Sequence, residues 1–239
     1  MSELASTIVA DIQGALHALK DPDRAAKMSR FFKEPIVAFG LPAAEVKQLA
    51  TEFGKQLPKN DKSVLVSVCE QLFAAGSMEE CLLACHLSYK GRKLFSQGDM
   101  ALFESWIMNY VTNWAVCDTL CNRTVGDVLL RHPDAQREAF KWTSSDNRWM
   151  KRAAAVSFIY PAKKWKDLTT MLEVCDTLLE DRDDMVQKGY GWLLKELSVR
   201  NFPEIHAFIA TRKDRMPRTA LRYAIEKFPE AERREMMLK

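Results

Sequence analysis

The sequence predicts an all-α chain, a HEAT-like solenoid of antiparallel helix pairs with a concave basic face. Three observations lead there. Apolar residues recur with the 3.6-residue helical period along nearly the whole chain. Nine glycines and nine prolines in 239 residues are too few for the many turns of an all-β fold. The second half carries a weak repeat of helix, acid-containing turn and helix.

The first half reads as helices in succession. Residues 3–20 place Leu4, Ile8, Ile12, Ala15, Leu16 and Leu19 on one helical stripe. Residues 24–33 form a short helix stopped before Pro35. In FGLPAAEVKQLATEFGKQL, Pro42 sits like a first helical residue and Gly54 lies near the end. Residues 61–75 and 77–90 pair around Gly76, and residues 99–112 and 114–131 form the next pair. No run alternates apolar and polar residues long enough for a strand.

In the second half, a helix from Pro133 to Trp142 is followed by SSDNR and RWMKRAAAVSFIY. A helix at 167–180 is followed by DRDD and MVQKGYGWLLKELSV, and a helix near Pro203 by RKDRMP and RTALRYAIEKF. Each second helix carries a basic residue followed by small ones: Arg152-Ala-Ala-Ala, Lys188-Gly-Tyr-Gly and Arg218-Thr-Ala-Leu. These basic positions are 36 and 30 residues apart, an irregular period of the kind helical arrays show. Small residues let one helix lie against the next layer, and the recurring cations either line a basic groove or cap and solvate helix ends.

Composition is that of a soluble globular protein, 47% hydrophobic and 28% charged, and the length suits one well-packed domain or two small ones, of which a single domain over residues 1–239 is expected. The net charge of +3 decides nothing, but residues 119–166 hold ten Lys or Arg against four acids. An excess of +6 there is either a footprint for phosphates or a solvated helix surface. No segment has the roughly 18 apolar residues of a membrane span. The N-terminus reads as an amphipathic helix with internal acids rather than a signal peptide. A cytoplasmic protein with reduced thiols and no membrane partner follows. Cys81/Cys85 and Cys117/Cys121 are i, i+4 pairs rather than C-x-x-C pairs, and the four histidines are scattered. They read as small helix-packing residues, with no metal and no cofactor.

Three clusters could carry chemistry: NWAVCD, SDNRWMKRAA and QKGYGWLLKEL. In a helix, Trp114 and Asp118 share a face with Cβ atoms roughly 6 Å apart. Arg148 and Arg152, and likewise Lys188 and Trp192, repeat that spacing.

These clusters resemble the AlkD-like DNA alkylation-repair glycosylases, a HEAT-like helical-repeat family. The likeness spans most of the chain, from KMSRFFK and VAFGLPAAEVKQL to HPDAQREAFKWTSSDNRWMKRAA and QKGYGWLLKE. The resemblance implies that Asp118 is the catalytic acid, that Trp114 and Trp192 are its two indoles, and that Arg152 binds phosphate. Arg148, Lys151, Lys188, Arg218 and Phe31 join it as expected DNA contacts. Phe31 matches an aromatic that is often Tyr. Ala115 stands where the family often has an acid, and Cys117 where Val is expected.

What the resemblance implies is a monomeric, monofunctional DNA glycosylase of base excision repair. It would release N3- or N7-alkylated purines, such as 3-methyladenine and 7-methylguanine, from duplex DNA. It would do so on a shallow surface without a base pocket. The residue set suits that chemistry. A cationic base is already an activated leaving group, so the second carboxylate of ordinary glycoside hydrolysis can be absent. An aimed carboxylate stabilises the charge that develops on the sugar. Indole faces attract the cationic nucleotide by about 0.5–2 kcal/mol each. There is no helix-hairpin-helix signature and no clear lysine nucleophile. Two rivals stand beside this reading: a non-catalytic relative that binds damaged or branched DNA, and a helical-repeat scaffold for a protein or peptide.

Overall fold

The structure is a computed structural model that describes residues 3–238. The described residues contain sixteen α-helices, short 3-10 turns, one turn of π-helix and no strand. The chain folds as two compact units, Met1–Leu120 and Cys121–Lys239.

The first unit holds α1 (Glu3–Ala18), α2 (Pro22–Ser29), α3 (Ala43–Phe53), α4 (Lys62–Ala75), α5 (Met78–Lys90), α6 (Met100–Tyr110) and α7 (Trp114–Thr119). The α4–α5 hairpin turns where the sequence marks it. Gly76 ends α4 in the left-handed region at φ 83°, and Ser77 opens α5 with a capping box completed by Glu80. On α1 the buried stripe is Ala5, Ile8, Val9, Ile12 and Leu16, whereas Leu4 and Leu19 lie exposed at the two ends. Helix α2 starts on an Asp21 cap and stops at Ser29, short of the expected residue 33. Residues 30–32 instead close i→i−3 turns, with Phe31 N–H donating to Met28 O and Phe32 N–H to Ser29 O. Phe73, Phe95, Phe103 and Trp106 form an aromatic core behind α4 and α6.

Helix α2 buries no residue of its own, so something else must hold it. That is the loop before α3. Its residues Phe39, Gly40 and Leu41 donate their backbone N–H groups to the carboxylate of Glu79 at 2.8, 2.8 and 3.0 Å. Glu79 is fully buried on α5. A buried carboxylate is tolerated only with such donors around it. The loop in turn accepts Asp21 N–H on Phe39 O at 2.8 Å and packs Gly40 directly against Asp21 and Ala25.

The second unit holds α8 (Gly126–Arg131), α9 (Gln136–Lys141), α10 (Arg148–Val156), α11 (Ile159–Ala162), α12 (Thr169–Thr177), α13 (Asp184–Ser198), α14 (Phe202–Ala210), α15 (Arg218–Ala224) and α16 (Glu230–Met237). Helices α10, α13 and α15 are the three expected second helices, and they pack in sequence order. The two glycines of KGYGW make this possible. A Cβ on Gly189 would meet the Arg152 side chain of α10 at 3.2 Å, and one on Gly191 would meet Ala220 O and Tyr223 Cβ of α15 at 2.8 Å. One glycine faces the layer before and the other the layer after, while Tyr190 between them is buried with its hydroxyl on Leu179 O. Helix α16 is a further helix that the sequence reading does not include.

Ion pairs bridge the layers of this unit. Arg137 reaches Glu173, Arg212 reaches Asp176 and Arg215 reaches Glu180, at 2.6 Å each. Lys151 reaches Asp181 at 2.5 Å. Arg137 and Lys151 belong to residues 119–166, so part of the positive excess of that stretch is offset in space by acids from later in the chain. Among the described residues no helix is long and apolar enough to cross a membrane.

Candidate functional site

The residues from the sequence analysis divide between the two units. In the first, Asn113 sets the start of α7. Its backbone is extended, and its buried side chain accepts from Ala115 N–H and Val116 N–H at 3.0 and 3.1 Å. Val116 and Cys117 then turn inward and are buried, and the Cys85 thiol of α5 lies 3.8 Å from Val116 O. That phase leaves Trp114 and Asp118, one helical turn apart, half-buried on the other side of α7. Immediately after Thr119 the helix widens into the π-helical turn Leu120–Val125. Such turns are rare overall and frequent at functional sites. The expected uninterrupted helix over residues 114–131 is thus three pieces.

The Trp114 ring stacks on Phe32, with centroids 5.3 Å apart and planes 15° from parallel. Phe32 comes from the turn after α2, so α2 and the Glu79-held loop support the indole. Phe31 beside it is 78% exposed. The sequence reading singled out Phe31 and missed Phe32. The adjacent pair in KMSRFFK was the signal, because one of two neighbouring aromatics in a turn can face inward.

In the second unit, three of the expected DNA contacts converge on one acidic turn. Arg148 Nε lies 2.8 Å from Asp183 Oδ2, Lys151 Nζ 2.5 Å from Asp181 Oδ2, and Lys188 Nζ 3.3 Å from Asp184 Oδ2. Asp183 also caps α13 through Met185 N–H and Val186 N–H. For these three cations, holding the helix start is an observed role. Arg152 is 5% exposed, with Gly189 against its stem and Nη1 donating to Met185 O. Arg218 is exposed and its Nη1 donates to Met237 O of α16 at 2.9 Å. Trp192 is half-buried, and its indole N–H donates to Glu196 Oε1 at 3.2 Å, while Glu196 also meets Lys163 at 3.5 Å. Glu196 is a second residue the sequence reading missed; its i+4 position after Trp192 was the available signal.

All six cysteines are buried and outside any disulfide. Burial pushes the Cys69, Cys85 and Cys175 thiols well up, and that of Cys81 up to about 12. Neighbouring thiols at Cys81, Cys69 and Cys117 add to the rise at Cys85. Among the described residues no group of three or more His, Cys, Asp or Glu is arranged to hold a metal ion. Since the thiolate is the reactive form, an aromatic disulfide reagent at pH 8 is expected to label essentially none of the six in the folded protein and all six in denaturant. Prompt labelling of one thiol in the folded protein would contradict this packing.

A sequence profile described as DNA alkylation repair enzyme matches residues 12–228. The fold is similar to that of a "predicted DNA alkylation repair enzyme" from Enterococcus faecalis. The TM-score is 0.80 and the identity 20%, over 88% of this chain and 97% of that one. It is also similar to that of the Pseudomonas fluorescens alkylpurine DNA glycosylase AlkC, solved bound to DNA containing an abasic site analogue. There the TM-score is 0.55 and the identity 14%, over 98% of this chain and 66% of that one. Curated protein sequences give no match. At these identities the structures speak for the fold, and the profile, which covers most of the length, speaks for the lineage: the chain belongs to the DNA alkylation repair enzyme family.

Proposed function

We propose that the protein is a monofunctional, AlkD-like DNA glycosylase that releases cationic N3- and N7-alkylated purines from duplex DNA, acting as a single-domain monomer. The observation that carries this reading is the pairing on α7: a half-buried carboxylate, Asp118, one turn from an indole that is itself braced by Phe32. As the glycosidic bond of an alkylated purine stretches, the base leaves as a neutral molecule and positive charge collects on the sugar. Asp118 stabilises that charge and orients the incoming water. Trp114 offers its face to the cationic nucleotide. No acid has to protonate the leaving base, so one carboxylate suffices.

Trp192 is the second indole of this reading, on the family resemblance, with Glu196 fixing the ring's orientation. Arg152 takes a backbone phosphate by exchanging the Met185 carbonyl for it. That exchange is favourable in kind, because a phosphate oxygen makes a charge-assisted bond. It also leaves no orphan, since a carbonyl in the first turn of a helix accepts the N–H four residues on. Arg148, Lys151, Lys188, Arg218 and Phe31 remain in the proposal as contacts to the duplex. Three of them bring their aspartate partners with them, so their attraction for phosphate is weaker than the sequence charge implies.

The test is incubation of the protein with duplex DNA methylated by an alkylating agent, with chromatography of the released bases. Release of 7-methylguanine or 3-methyladenine above the spontaneous rate is the expected result. Absence of release alongside salt-dependent binding of the same duplex would replace this reading with that of a non-catalytic DNA-binding relative.

A further inference from the structure

Helix α15 and the turn that follows it present Thr219, Arg222, Tyr223 and Glu226 along one side, a stripe at i, i+3, i+4 and i+7. With Lys188 of α13 these residues line an open surface depression of about 390 Å³. Gly191 brings the two helices together here, since its Cα lies where any Cβ would strike Tyr223 Cβ and Ala220 O. The layer contact that builds the fold therefore also builds the depression.

The charges around it are unequal in their commitments. Glu226 is held by Lys195 at 3.1 Å, and Lys188 by Asp184 at 3.3 Å. Arg222 has no ion-pair or hydrogen-bond partner among the described residues, in a unit where Arg137, Arg148, Arg212 and Arg215 all hold carboxylates of another layer. The hydroxyls of Thr219 and Tyr223 are likewise without partners among the described residues. An uncommitted guanidinium, an ammonium and two hydroxyl donors around one depression match a singly charged anion with several acceptor oxygens. A phosphodiester is that anion, and it can take two parallel bonds from the guanidinium. The exposed Tyr223 ring gives the adjoining sugar an apolar surface.

We propose that this depression is a binding subsite for a phosphodiester of the DNA backbone, with Arg222 as its principal ligand and Thr219, Tyr223 and Lys188 around it. The proposal rests on the reading of the chain as a DNA-acting enzyme. It adds a contact that neither the sequence motifs nor the basic cluster at Asp181–Asp184 supplies.

The experiment is a fluorescence-anisotropy titration of undamaged duplex DNA at several salt concentrations between about 50 and 200 mM. It compares wild type, Arg222→Ala and Arg222→Lys, with thermal melts alongside. Each phosphate contact contributes about one unit to the slope of log K against log salt. Arg222→Ala is expected to lower that slope by about one, so that the weakening of binding across that salt range becomes about 3.5-fold smaller. Arg222→Lys keeps the charge and is expected to keep the slope. Melting temperatures should be unchanged, because Arg222 is exposed and makes no internal bond among the described residues. An Arg222→Ala slope equal to that of a wild type that binds DNA overturns the subsite and leaves the DNA reading standing. A wild type that shows no salt-dependent binding overturns both.

Discussion

Asp118→Asn is expected to lower the rate of alkylpurine release by about 10²–10³-fold, the scale for removing one preorganised electrostatic group from a reacting centre. The substitution removes one charge at nearly constant volume. Asparagine has the same shape, keeps a hydrogen-bonding group and sits as readily on the half-buried side of α7. The melting temperature should hardly move, since α7 is anchored by the Asn113 cap and by buried Val116 and Cys117. Affinity for undamaged duplex should be equal or slightly higher, because a negative charge near phosphates opposes binding. Single-turnover release of 7-methylguanine, together with anisotropy and melting curves, separates these quantities. Equal release rates in the two proteins would remove Asp118 from the mechanism. A variant that melts early and loses rate in proportion would make the residue structural.

The second large effect concerns stability. Gly40→Ala is expected to destabilise the protein by about 3 kcal/mol or more, the combined cost of a left-handed alanine and of a backbone that must shift. Gly40 has φ 93°, and a Cβ there would lie 2.1 Å from Asp21 O and 2.8 Å from Ala25 N. Both are backbone atoms at the start of α2, so relief requires the helix to move. Moving it strains the Asp21–Phe39 bond and the Glu79 carboxylate that holds Phe39, Gly40 and Leu41. It also disturbs the turn that carries Phe32 beneath Trp114. A reduced urea midpoint and, in whatever fraction remains folded, a reduced release rate are the expected results. Gly14→Ala is the control. Gly14 lies inside α1, and a methyl group there would meet nothing within 4 Å, so alanine is expected to stabilise by about 0.5–1 kcal/mol. Equal midpoints for the two variants would show that the loop before α3 gives way more easily than its packing indicates.

Much of the architecture could be read in advance because it is written in local chemistry. The helical period of α1, the Gly76–Ser77 punctuation between α4 and α5, and the i, i+4 relation of Trp114 to Asp118 each depend on residues within a few positions of one another. The KGYGW segment was legible in the same way: small residues there implied close layers, and Gly189 and Gly191 face one layer each. Helix ends were less legible. Neither the stop of α2 at Ser29 nor the π-helical turn after Thr119 is marked by local propensity.

The helical class, the order of the helix pairs, the family and the charged and aromatic residues proposed for the site were all contained in the order of amino acids. Which of those residues are available emerged only once the layers packed. Packing gave Arg148, Lys151 and Lys188 to the acids of the Asp181–Asp184 turn and buried Arg152 against Gly189. It set Phe32 under Trp114 and left Arg222, beside Thr219 and Tyr223, without a partner among the described residues. The division follows from range. Helix formation and face are set by neighbours three and four residues away. The partner of a charge or a ring is set by whichever side chain the packed layers bring within about 4 Å, and in this chain that side chain is often 30 or more residues distant.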